Sequence, residues 1–222
     1  MSLTRLRDEN GFTLIELLVS SVVTIIVLGS AVALSSQIQN GYRRQMEEAV
    51  AEQEGRYALD WISRYIRAAD NDPYAAPTSD CPIAGTVFEA IQFDPDADGI
   101  ENDVRIQTDA NPPDGIIGGT APDCTQANED VTISLDAAND TIVFLDNNLG
   151  GAGTTRTDSV IEDLRFVYYD SAHALMDPTV DPPANVRYVE TQITIRTRTI
   201  DSLTGLPVTR TLNSEVRVRS RP

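Results

Sequence analysis

Lysine is missing from this chain of 222 residues, so arginine supplies all 17 basic side chains. Histidine occurs once, at His173, and cysteine twice, at Cys81 and Cys124. Two thiols and one imidazole cannot complete a tetrahedral zinc site. His173 has no nucleophile or acid at a telling spacing and reads as a surface loop residue. A glycine-rich phosphate loop, a nucleophile elbow and a histidine metal pair are also lacking, so the sequence offers no enzyme chemistry. Bases are nearly absent from the middle of the chain. Residues 70–163 hold 20 acids against Arg105 and Arg156, which accounts for all of the net charge of −17. A surface of that sign repels nucleic acid, and no nucleic-acid partner is expected. Proline does not occur before Pro73, so nothing of that kind interrupts a helix in the first third. There is no internal repeat.

What the chain does have is a long apolar run. It begins at a Gly11-Phe12 junction, continues Thr13-Leu14-Ile15-Glu16-Leu17-Leu18-Val19-Ser20, and extends to Leu34. From Phe12 that is 23 residues. At about 1.5 Å per residue a helix of this length reaches roughly 34 Å, enough for a bilayer core of about 30 Å. A secretory signal has a shorter apolar core with small residues at its far end. Here the small residue, Gly11, stands on the near side, so a cut there leaves the apolar helix on the mature chain. Glu16 is the anomaly. A lone carboxylate in hydrocarbon costs several kcal/mol, so it must stay protonated or find a cation. Among packed helices the amino terminus of a neighbouring Phe12 is such a cation, and that pair would fix the stagger between subunits.

The spacing of Gly11, Phe12 and Glu16 resembles the class III leader of type IV pilins and pseudopilins. The resemblance implies that a prepilin peptidase removes residues 1–11 and methylates the new amino terminus at Phe12. Arg5 and Arg7 fit the basic leader, whereas Asp8 and Glu9 depart from it. Residues 51–69, Ala-Glu-Gln-Glu-Gly-Arg-Tyr-Ala-Leu-Asp-Trp-Ile-Ser-Arg-Tyr-Ile-Arg-Ala-Ala, are similar to the helix end of PilW-like and J-type minor pilins. Ser159–Asp170 and the Arg-Val-Arg-Ser-Arg tail resemble the same group. The implied life history is a single pass in the inner membrane with a periplasmic head, then an extracellular pilus or a periplasmic pseudopilus. The implied partners are other pilins, met through the amino-terminal helix, and the pilus assembly platform. The implied function is a minor pilin at or near the tip of a type IV pilus, helping to initiate or support assembly. Alternatives are a minor pseudopilin of a type II secretion system, a calcium-stabilised tip adhesin, and an acidic periplasmic domain on a plain anchor. An oxidising compartment would favour one disulfide between Cys81 and Cys124, closing a loop of about 44 residues worth roughly 4 kcal/mol in the chain-entropy model.

The organisation expected is α+β: a leader (1–11), a membrane or filament-core helix (12–34), its amphipathic continuation (35–69) and a β-rich head (70–222). Met46, Val50, Tyr57, Trp61 and Tyr65, with Leu59, Ile62 and Ile66, recur at three- and four-residue steps and predict the packed face. Gly29, Gly41 and Gly55 are expected weak points in that helix. Period-two segments predict strands at 90–93, 103–107, 131–135, 141–145, 161–169, 186–199 and 210–219, mainly antiparallel, with a hairpin turn at 201–206 and long acidic loops in 70–160. The helix supplies the cover for such a sheet. Within the acidic region, Asp94-Pro-Asp96-Ala-Asp98-Gly99-Ile100-Glu101-Asn102-Asp103 has the alternating acids and glycine of a calcium loop. The twelfth position, where an EF-hand carries Glu, is Arg105, so closure falls to Glu101, Asn102 or Asp103, with the Ile100 carbonyl as a neutral ligand. No other cofactor is expected.

Overall fold

A computed structural model describes residues 11–72, 78–79, 86–110, 113–119, 124–200 and 205–218. The chain divides into two compact units, Met1–Met46 and Glu47–Pro222. One α-helix, α1 (Leu14–Ala68), begins in the first and ends in the second. It ends where Asp70 takes a left-handed backbone (φ 63°), with the Ala69 N–H shared between the carbonyls of Tyr65 and Ile66. Arg67 in its last turn complements the negative end of the helix dipole.

The strands of the second unit are β1 (Thr78–Ser79), β2 (Thr86–Val87), β3 (Ile91–Phe93), β4 (Asp103–Gln107), β5 (Asp130–Asp136), β6 (Thr141–Asp146), β7 (Thr154–Thr155), β8 (Ile161–Tyr169), β9 (Tyr188–Ile200) and β10 (Pro207–Arg217). Every pairing is antiparallel. They make a two-stranded β1-β2 ribbon, a five-stranded meander β3-β4-β5-β6-β7, and a three-stranded sheet in the order β10-β9-β8. The expected α+β arrangement, a long helix packed on mainly antiparallel strands, is what the chain adopts.

A single apolar cluster joins the three layers. It contains Ile62 and Ile66 of α1, Val104, Ile106, Val131, Ile133, Ile142 and Phe144 of the larger sheet, and Ile161, Leu164, Phe166, Val189, Ile193 and Val216 of the smaller. Strand alternation produces it: in β9, Thr191, Ile193, Ile195 and Thr197 point inward and their neighbours outward. In β8 the alternation slips at Glu162 and Asp163, where a bulge interrupts the register with β9.

Two expectations need correction. The buried face of α1 is only part of the large-residue stripe: Leu59, Trp61, Ile62 and Ile66 are buried as expected, and Tyr65 packs against the core. Met46, Val50 and Tyr57 are exposed, and the inward face is Ala51, Gly55, Ala58, Leu59, Trp61, Ile62, Ser63 and Ile66. Small side chains let the helix approach the strands closely, so part of the interface carries little apolar signal. Gly55 is accordingly a contact rather than a weak point: a Cβ there would lie 2.8 Å from both Ile195 Cγ2 and Leu212 Cδ1. The last strand also begins three residues early, at Pro207, which pairs with Ile200 beside a register shift. Proline is tolerated there because it opens the strand. Most of the turn expected at 201–206 falls outside the described residues.

Candidate functional site

The amino-terminal motif is built around Thr13 and Glu16. The helix begins at Leu14, and the Thr13 N–H and hydroxyl donate to Glu16 Oε2 at 2.9 and 2.8 Å. In return the Glu16 N–H donates to Thr13 Oγ1 at 3.3 Å. This reciprocal pattern is a capping box, which satisfies two of the donors that a helix start leaves unpaired. Beyond it, Phe12, Leu14, Ile15, Leu17 and the apolar residues through Leu34 are all exposed. The helix is long and apolar enough to cross a membrane. Its hydroxyls are turned back on the backbone: Ser20 to the Glu16 carbonyl, Ser21 to Leu18, Thr24 to Ser20 and Ser30 to Val27, at 2.7–2.8 Å. Such bonds let polar side chains sit in hydrocarbon without an unmet donor. The uncleaved chain therefore gives the Glu16 carboxylate a local partner, Thr13. Gly11 lies before the helix and is exposed, as a cleavage junction must be.

The acidic loop expected to bind calcium is the connection between β3 and β4, residues 94–102. Carboxylate oxygens of Asp94, Asp96 and Asp103 lie within 4.8 Å of one another. Asp98, Glu101 and Asn102 make other contacts. Asp98 Oδ1 accepts from the Ile100 N–H at 2.7 Å, and Glu101 Oε2 accepts from Arg165 Nε at 2.8 Å. The Asn102 carbonyl accepts from the Leu135 N–H at 3.2 Å, and the Ile100 side chain is exposed. Asp94 holds the turn, accepting from the N–H groups of Asp98 and Gly99. Asp103 is buried, and burial pushes its carboxyl up to about 7, helped by the charges of Asp96, Asp94 and Asp98. Cys124 is disulfide-bonded, while Cys81, expected as its partner, lies outside the described residues.

Residues 6–32 match the family model of the prokaryotic N-terminal methylation motif. That motif indicates a type IV pilin or pseudopilin. Nothing among curated proteins or solved structures matches the chain significantly. The pilin-type motif implies processing by prepilin peptidase, assembly with other pilins and a single-pass anchor in the inner membrane. Proteins that carry it are structural subunits, not enzymes.

Sequence reasoning missed the polar centre of the second unit. Asp130 is fully buried and accepts from Arg105 Nε and Asn147 Nδ2, both at 2.7 Å, and from Gln107 Nε2 at 2.8 Å. Buried Glu129 accepts from the N–H groups of Ala110 and Gly118, and buried Asp109 from those of Asp114 and Gly115. These acids order loops rather than line a reactive site. The second arginine of the acidic region, Arg156, lies 4.6 Å over the Phe144 ring. The pattern of two isolated arginines among 20 acids was the available signal.

Proposed function

We propose that this chain is a minor pilin of a type IV pilus, incorporated at or near the tip and helping to start or support assembly. The observation that carries the reading is the Gly11-Phe12 junction with Glu16 at the head of a fully exposed apolar helix segment. Such a surface needs hydrocarbon before assembly and neighbouring helices after it. Processing after Gly11 removes residues 1–11 and turns the Phe12 nitrogen into a charged amine. A neighbour's amine can then compete with Thr13 for Glu16 as the subunit leaves the membrane, which couples the carboxylate to docking. The long, loop-rich acidic head favours a minor over a major subunit, and the similarity of residues 51–69 and 159–170 to PilW-like and J-type subunits supports the same choice.

Two measurements test this. Mass spectrometry of the membrane-extracted chain should find an N-methylated Phe12 terminus, and a Gly11→Glu variant should retain residues 1–11. Sheared surface pili should be nearly lost in a strain lacking the gene and restored by the wild-type copy, but not by Glu16→Ala. Normal pilus numbers together with a secretion defect would reassign the chain to the pseudopilus of a type II secretion system.

A further inference from the structure

We propose that Asp94, Asp96 and Asp103 form a calcium site at the mouth of the β3–β4 hairpin. The register of the hairpin creates it. Phe93 and Val104 are the last pair of the hairpin, so Asp94 and Asp103, the next residue on each side, bring two carboxyl groups to the mouth of the loop. That arrangement is unfavourable unless something positive lies between them. Asp96 is brought onto the same point by the tight turn at 94–99, and oxygens of all three carboxylates come within 4.8 Å of one another.

The independent observation is Asp103. Only 2% of its surface is exposed, and its Oδ1 has no hydrogen-bond partner. A buried carboxylate oxygen left without a donor is costly, and native structures nearly always satisfy such atoms. The Tyr168 hydroxyl is also buried without a hydrogen-bond partner. A cation among the three carboxylates answers the orphaned oxygen of Asp103.

The donor set selects the ion. All three ligands are hard oxygens, and no thiol or imidazole belongs to the cluster. That excludes the soft and borderline metals as natural occupants. Calcium takes six to eight oxygens in flexible geometry, so three carboxylates with waters suffice, whereas magnesium demands a near-ideal octahedron. Asp94 and Asp96 are partly or largely exposed, leaving room for those waters. With only three carboxylate ligands the expected affinity is weak, about 10⁻⁴–10⁻³ M. This inference stands on the loop and does not rest on the filament reading; either can fail without the other.

The test is calorimetry and thermal melting of the full chain in detergent, titrated with calcium chloride. Wild-type protein should bind one ion saturably and melt at a higher temperature. Asp96→Asn, a change at an exposed position that cannot unfold the head, should weaken binding at least about tenfold, as loss of a charged ligand does. Asp103→Asn should abolish binding and, without calcium, melt no lower than wild type because it removes one of the clustered charges. No heat and no melting shift at about 10 mM calcium, well above that affinity class, would overturn the proposal. So would equal affinity in Asp96→Asn, or the same stabilisation by sodium at matched ionic strength.

Discussion

Asp130 has no exposed surface, yet it lies among donors from three side chains, and the strand register explains how. Gln107 stands directly opposite it across β4 and β5, while Arg105 stands opposite Thr132 and reaches Asp130 on the diagonal. Removing the arginine would strand a buried charge, which is why such a pair is kept even where an apolar pair would be as stable. None of this was legible in composition, where acids of the middle region look like a solvated exterior. Burial of Asp109, Glu129 and Asp130 depends on which strands become neighbours, and a single sequence does not state that. His173, by contrast, was legible: it lies on the surface as expected. Its ring stacks on Tyr169, and its Nε2 lies 3.1 Å from Glu215 Oε2. The Glu215 carboxylate beside it raises the His173 pKa above 6.5, with Asp170 adding to the effect. A raised folded pKa means that the pair's contribution is complete below the unfolded value of about 6.5 and fades as pH rises through the folded value. With one histidine in the chain, proton NMR gives a single imidazole titration. Its midpoint should lie above 6.5 in wild type and fall in Glu215→Gln; a wild-type midpoint at or below 6.5 would refute the contact.

At the scale of elements, β3, β4, β5, β6 and β8 fall within a residue or so of the expected segments, because each alternates apolar and polar residues where one face is covered. The two-residue strands β1, β2 and β7 have no room for a period, and pairing alone defines them. The helix face was legible at Leu59, Trp61, Ile62 and Ile66, and its remainder was missed for a different reason. Hydrophobic periodicity weights large residues, but α1 also presents small ones inward, and Gly55 lies close against Ile195 of β9 and Leu212 of β10. Ser63 belongs to the same face and shares a 3.3 Å hydroxyl contact with Ser214. In an open helix, replacing glycine by alanine gains about 1 kcal/mol. At Gly55 the new methyl group meets two side chains at 2.8 Å at once. Overpacking of that kind costs about 1–3 kcal/mol. Gly55→Ala should therefore be a net loss of roughly 1 kcal/mol, seen as a melting point lower by about 2–4 °C for a domain of this size. An unchanged or higher melting point would mean that Ile195 and Leu212 yield freely and that the helix is not held close.

For the molecule as a whole, the question is where folding stability resides. Every member of the apolar core lies at or beyond Ala51, and no described residue from Gly11 to Met46 is buried. The first unit is a helix segment whose apolar surface is exposed, whereas the second carries three sheets and a core of its own. Length also favours independence, since the second unit falls in the ordinary range for a single domain of about 50–250 residues. A chain beginning at Glu47 should thus fold without detergent when expressed in an oxidising compartment, where the disulfide of Cys124 can form. It keeps the buried helical face from Ala51 onward and the ion pair of Glu48 with Arg210. Its unfolding in denaturant should be one cooperative transition, reported alike by far-ultraviolet circular dichroism and by Trp61 fluorescence. Sedimentation should show a monomer, because the exposed apolar residues that drive association, Phe12 through Leu34, are gone. Transitions that differ between the two probes, or a truncated chain that aggregates, would show that the amino-terminal segment contributes to the fold as well as to anchoring.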